Sequence, residues 1–292
     1  MKNRIKNLVA TSLVGFVAFT AVPSAALANT EEAVSAQELV NALSDDAFVN
    51  EMSLYAIEKS NIDLNECSRV KAIFDTAYKE HDIIYENGQI VVNESLNNKI
   101  SETDYDTIVS DMEIMNTCIE SGMASFNQLT GSFVVADVET VINNVPAQMM
   151  KSEKEAISPR VLSLDLGSVV SENYAYIEDY YNTLMTYTPT EAYTGTVGIW
   201  VGKVAPKGDW DYKRTYGPYD TPYTCTYGLN DSKTRLKTAE FIGNYNYGYT
   251  GSFLFNLNAL KTGSFVVSGF DASDYTDHPA IEEGFEDANL IE

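Results

Sequence analysis

Residues 68–92 read Ser-Arg-Val-Lys-Ala-Ile-Phe-Asp-Thr-Ala-Tyr-Lys-Glu-His-Asp-Ile-Ile-Tyr-Glu-Asn-Gly-Gln-Ile-Val-Val. Two periods meet in this stretch. Val70, Ile73, Phe74 and Ala77 recur at i, i+3, i+4 and i+7, one face of a helix, and Ser68 is placed to cap it. The pattern then breaks. Glu86-Asn87-Gly88 stands between Ile-Ile-Tyr and Gln-Ile-Val-Val, which predicts a short hairpin turned at Asn-Gly. The expected fold class is therefore mainly α, with α+β carrying a small sheet or hairpin as the alternative.

Working outward, helical spacing dominates. Leu39, Val40 and Leu43 precede a Ser-Asp-Asp break, and Phe48, Met52, Tyr55 and Ala56 resume the pattern. Ile108, Met112, Met115 and Ile119 mark another helical face. The Gly131-Ser132 pair interrupts it, and a further helix is expected over 137–150, disturbed by Pro146. Met112, Met115, Met123, Met149 and Met150 read as core filler. His81 stands alone and reads as a solvated or capping histidine. Tyr174, Ile177, Tyr181 and Leu184 predict an amphipathic helix that stops at Thr188-Pro189. Val197, Trp200, Val201 and Val204 keep the helical spacing despite Gly195, Gly198 and Gly202, so a helix is expected there too, although each glycine costs about 1 kcal/mol relative to alanine. Residues 205–235, rich in Gly, Pro, Tyr and Thr, are expected to form a long irregular surface loop.

The ends and the composition set bounds. Lys2, Arg4 and Lys6, the apolar run from Leu8 to Val22, and Ala26-Leu27-Ala28 have the order of a secretory signal peptide cleaved before Asn29. The expected organisation is a signal at 1–28, a helical accessory domain at 29–150, a charged linker at 151–160 and a mostly helical domain at 161–292, in a secreted protein without a later membrane span. The net charge is −23. Residues 29–159 hold 7 basic and 24 acidic side chains (net −17), and residues 160–292 hold 9 and 18 (net −9). Such acidity opposes nucleic-acid binding, which leans on phosphate neutralisation. Lys203, Lys207, Lys213 and Arg214 form the one candidate basic patch. Cys67, Cys118 and Cys225 lack zinc-site spacing, no metal site is expected, and the sequence specifies no cofactor.

Chemistry-bearing residues concentrate in three clusters of the C-terminal half. The first is Gly208-Asp-Trp-Asp-Tyr-Lys213, where Asp211 and Lys213 would face one side of an extended segment and Trp210 would anchor it or contact substrate. The second is Glu240-Phe-Ile-Gly-Asn-Tyr-Asn-Tyr-Gly-Tyr-Thr-Gly251. Here Glu240 would be a partly buried acid, Asn244 and Asn246 would offer amides to a substrate, and the alternative is a polar turn between helices. The third runs from Asp274 through Asp277 and His278 to Gly284. Two carboxylates three apart beside a histidine could hold a cation or share a proton, with His278 as a candidate general base, while Asp277 also suits the N-cap of a last helix, contacting the Ala280 N–H.

In order and spacing these clusters resemble the polymorphic toxin type 44 domain, whose pattern runs Gly-x-Trp-Asp-x-Lys, Glu-x-x-Gly-Asn-x-x-x-Gly and Asp-x-x-Asp-x-x-x-Ile-x-x-Gly. The matching residues are Gly208, Trp210, Asp211 and Lys213, then Glu240, Gly243, Asn244 and Gly248, then Asp274, Asp277, Ile281 and Gly284. The likeness covers roughly residues 165–290. It implies a mostly helical toxin domain with RNase activity, Glu240, Asp274, Asp277, Asp211 and Lys213 as catalytic groups, RNA as substrate and a cognate immunity protein as partner. Asn244, Asn246, Trp210 and His278 are expected to bind substrate, although His278 falls where the family pattern requires no histidine. Two other functions remain open on the residues alone. One is a cell-wall or glycan hydrolase working through paired carboxylates. The other is a non-enzymatic surface-binding protein exploiting 19 tyrosines.

Overall fold

A computed structural model describes residues 45–137, 140, 162–205, 208–228, 234–267 and 277–290. The expected signal peptide, the helix at 137–150 and the linker at 151–160 lie outside or almost wholly outside these residues. The described chain is mainly α with small sheets. No helix among the described residues is long and apolar enough to cross a membrane.

The N-terminal half opens with α1 (Asp46–Lys59) and α2 (Leu64–Lys79). The apolar face read from the sequence is the buried one: Val70, Phe74 and Ala77 all point into the core. The cap is Asp63 rather than Ser68, because the helix starts one turn earlier. Asp63 Oδ1 accepts from the backbone N–H groups of Asn65 and Glu66, while Ser68 Oγ donates to the Leu64 carbonyl inside the helix. The hairpin follows as read, with β1 (Ile83–Glu86) paired antiparallel to β2 (Gln89–Val92). Asn87 and Gly88 both take positive φ, 53° and 88°, the turn that matches strand twist.

The same unit then recurs, which the sequence reading missed. Helix α3 (Glu102–Glu120) leads into β3 (Ala124–Asn127) and β4 (Ser132–Val135), joined by a longer loop. Identical backbone bonds close both copies. Asp82 N donates to Ala77 O as Met123 N does to Cys118 O, both at 2.9 Å. Asn93 N donates to Asp82 O at 2.8 Å, and Ala136 N to Met123 O at 2.9 Å. Residues 81 and 122 thus hold equivalent left-handed positions, with φ of 63° and 70°. The two copies lean on one another through Tyr85 and Phe126, whose rings stack at 5.4 Å.

In the C-terminal half, β5 (Leu162–Asp165) runs into α4 (Leu166–Tyr187), followed by α5 (Ala192–Val204) and the single-turn α6 (Tyr212–Thr215). Then come β6 (Pro222–Thr226), β7 (Thr234–Thr238), α7 (Ala239–Gly251), α8 (Leu257–Val267) and α9 (His278–Leu290). The strands form one sheet in the order β5-β6-β7, with β5 parallel and β7 antiparallel to β6. The expected long loop at 205–235 is therefore corrected: it contains α6, β6 and the start of β7. Tyr223 and Cys225 alternate inward between outward threonines, a strand pattern that the Tyr/Thr composition disguised.

Helix α4 joins the halves. Ile177, Tyr181 and Leu184 are buried as read, and Tyr187 meets Phe74 and Phe133 edge-on at 5.2 and 5.6 Å. Asp111 on α3 accepts from Thr183 Oγ1 and Tyr187 Oη, at 3.0 and 3.1 Å. One continuous cluster of buried side chains extends from Met52 to Ala288. Cys67, Cys118 and Cys225 are all free thiols.

Candidate functional site

The second cluster sits in a helix rather than a turn. Thr238 Oγ1 caps α7 by accepting from Phe241 N at 3.2 Å. The helix is apolar or tightly packed almost all round, as expected of a central element. Its glycines serve close packing. A Cβ at Gly248 would overlap the Ile281 carbonyl on α9, and one at Gly284 would overlap the Tyr245 carbonyl on α7. The two backbones therefore touch directly, which requires glycine at both points.

Gly243 has a different duty. A Cβ there would lie 2.7 Å from Lys213 Cγ. The Lys213 side chain lies against this gap, and its Nζ donates to Asp277 Oδ2 at 3.0 Å. Lys213 is 28% exposed and Asp277 12%. One residue from each of the three sequence clusters thus meets at a single point. The ion pair also corrects the expected capping role of Asp277. Its backbone carbonyl accepts from the Ala280 and Ile281 N–H groups, at 3.0 and 3.1 Å, while its carboxylate turns to Lys213.

Asn244 follows Gly243 and is 5% exposed. Glu240 lies one turn earlier and shares a helix face with Gly243 and Asn244. The expectation of a partly buried acid fails, since Glu240 is exposed. Its N–H donates to the Tyr219 carbonyl at 3.1 Å, because α7 starts at the surface where the 216–221 loop turns back.

Other expected residues play other parts. Asp211 and Lys213 do not share the side of an extended segment. They begin the one-turn α6 and diverge, with Asp211 Oδ2 accepting from Arg214 Nη1 at 2.7 Å. Trp210 is an anchor, edge-on to Tyr176 at 5.8 Å. Asn246 is fully buried and structural: Asn173 Nδ2 donates to its Oδ1 at 2.8 Å and to Tyr212 Oη at 2.9 Å. The Asn246 Nδ2 is buried without an acceptor among the described residues. Burial pushes the Tyr212 phenol up to about 12, against the lowering effect of the Asn173 bond. His278 is the first residue of α9 and is partly buried. Asp274 and Lys207 fall outside the described residues.

The described cations of the expected basic patch are each met by a carboxylate. Lys203 Nζ stands 2.8 Å from Asp209, Lys213 3.0 Å from Asp277, and Arg214 2.7 Å from Asp211. Lys203 also lies 4.9 Å over the Tyr176 ring. Burial works to lower its pKa, and Asp209 and Tyr176 together outweigh that and leave it raised. Sequence reasoning missed Asn173 and Tyr219 altogether. Asn173 sits on an ordinary amphipathic helix, and Tyr219 is one of many tyrosines, so neither carried a signal. Among the described residues no group of three or more His, Cys, Asp and Glu is placed to hold a metal. No family model, no curated protein and no solved structure matches the chain.

Proposed function

We propose that the C-terminal half is a type 44-like toxin domain that cleaves RNA after export of the protein. The observation that supports this reading is the meeting of Lys213 and Asp277 across Gly243, beside the buried Asn244 amide and one turn from Glu240. In this reading the ribose 2′-hydroxyl attacks phosphorus and gives its proton to Glu240. The bond from phosphorus to the 5′-oxygen breaks, and that oxygen leaves with a proton from solvent. Lys213, oriented by Asp277, faces the charge that builds on the phosphoryl oxygens, and Asn244 donates to one of them. Purified mature protein incubated with single-stranded RNA is expected to cut it, with the rate falling at least about 100-fold in Glu240→Gln. Intact RNA between pH 5 and 9, with and without divalent cations, would overturn the proposal.

A second reading has its own support. Every described cation around the site is already neutralised by a carboxylate. A phosphate backbone therefore has to displace an existing partner before it binds. That favours a non-enzymatic surface-binding protein, with exposed Tyr219 beside the Arg214 guanidinium, 6.0 Å away, as the contact surface. Saturable binding to bacterial surfaces that is lost in Tyr219→Ala, with RNA left intact, would select this reading.

A further inference from the structure

A cleft of about 530 Å³ opens in the N-terminal half between the end of α2, strand β1 and the loop joining β3 to β4. Tyr78 and Tyr85 line it, together with Lys79 and His81. Tyr78 is locked in place from the second copy of the repeated unit. Its hydroxyl donates to the Gln128 carbonyl at 2.8 Å, and Gly131 packs so closely on its ring that a Cβ would sit 2.6 Å from Cδ1. The extra loop length of the second hairpin thus closes the cleft of the first.

The cleft also holds Lys71 and Asp75, which pair with each other. Elsewhere in the same half Arg69 and Lys99 are each paired with carboxylates. The side chains of Lys79 and His81 make no hydrogen bond or ion pair with the described residues, although residues 29–159 hold 24 acidic side chains. His81 also occupies a left-handed backbone position, φ 63°. At the equivalent position of the second copy stands Gly122, φ 70°, which adopts this conformation without steric cost. At the position equivalent to Lys79 stands Glu120, which accepts from Gln89 Nε2 at 2.6 Å. The turn therefore forms without either side chain. A basic residue at the end of α2 suits the helix dipole, but that does not explain a histidine where glycine is easier.

We propose that this cleft binds a carboxylate-bearing sugar ring. The carboxylate lies between Lys79 Nζ and the His81 ring N–H, and the apolar face of the sugar lies against the Tyr85 and Tyr78 rings. The site is independent of the C-terminal centre.

Titration of the full mature chain with glucuronate, followed by NMR or calorimetry, tests this. Saturable binding in the millimolar range is expected, at least fivefold tighter than for glucose, and it should weaken at least fivefold in both Lys79→Met and His81→Gly. The His81→Gly variant also guards against misfolding as an explanation, since its melting temperature should rise by a few degrees as backbone strain is relieved. Absence of saturable glucuronate binding overturns the proposal. Equal binding of glucose overturns it too, as does unchanged affinity in the two variants.

Discussion

The C-terminal centre and the N-terminal cleft are opposite electrostatic arrangements in one acidic chain. In the first, three cations are each tied to a carboxylate, and the backbone around them is locked by glycines at which α7 and α9 touch. In the second, a lysine and a histidine have no acidic partner among the described residues and line an open cleft beside tyrosines. Rigidity and neutrality mark the one, accessibility and residual positive charge the other. In a chain of net charge −23, a cation left unpaired is the rarer event and the more telling one about a ligand.

The largest expected effect concerns the rigid side of that contrast. Gly248→Ala places a methyl group into the Ile281 carbonyl, and no rotamer relieves a clash with backbone. A loss of at least about 3 kcal/mol in chemical denaturation is expected. Gly88→Ala, with open space around its Cβ but φ of 88°, should lose only about 1 kcal/mol. Equal losses at the two glycines would remove the claim that α7 and α9 are locked by contact.

Next comes Asp111, which joins the halves at α4. Burial pushes its carboxyl up to about 6, against the lowering effect of bonds from Thr183 and Tyr187, and nearby Asp179 adds to the rise. A raised folded pKa means that protonation favours the folded state. Its contribution is therefore full below the unfolded value of 3.8 and disappears as pH rises through about 6. Relative to Asp111→Asn, the native protein should gain on the order of 2 kcal/mol as pH falls from 7 to 4. A difference that does not change with pH would mean that Asp111 is solvated.

The Lys213–Asp277 pair tests whether the C-terminal centre is coupled or merely adjacent. A double-mutant cycle with Lys213→Met and Asp277→Asn is expected to give a coupling of about 1 kcal/mol, because Asp277 is only 12% exposed. The corresponding cycle at Lys203 and Asp209 should give less, since Asp209 is 47% exposed. The reverse order would break the view that the three-cluster meeting point is the better-ordered pair. The smallest effect belongs to the open cleft: His81→Gly should stabilise by about 1 kcal/mol, and a destabilisation would mean that the imidazole is part of the packing.

Much of the architecture was legible in the sequence. The faces of α2, α3 and α4 were read from apolar spacing, and the β1–β2 turn from Asn87-Gly88, because one-sided burial and positive φ leave local signatures. Helix α5 was legible in spite of its glycines, since its valines and Trp200 kept the helical period. The duplicated helix–hairpin unit was not legible, because its copies share backbone geometry without sharing residues: His81 answers Gly122 and Lys79 answers Glu120. Strand β6 was hidden because its inward positions are Tyr223 and Cys225 among threonines, and β7, Thr-Arg-Leu-Lys-Thr, because it buries no residue and so shows no alternation.

The candidate site divides along a similar line. By itself the sequence determined which residue types gather in each cluster, and hence that Lys213, Gly243 and Asp277 were worth watching. Only the tertiary structure decided that these three meet, that Glu240 is exposed, that Asn246 and Trp210 serve packing, and that Asp277 holds a lysine instead of capping its own helix. The reason is physical. Helical and turn preferences act over a few residues and leave a local record, whereas an ion pair spanning 64 positions and a glycine emptied for a distant lysine arise from how helices stack.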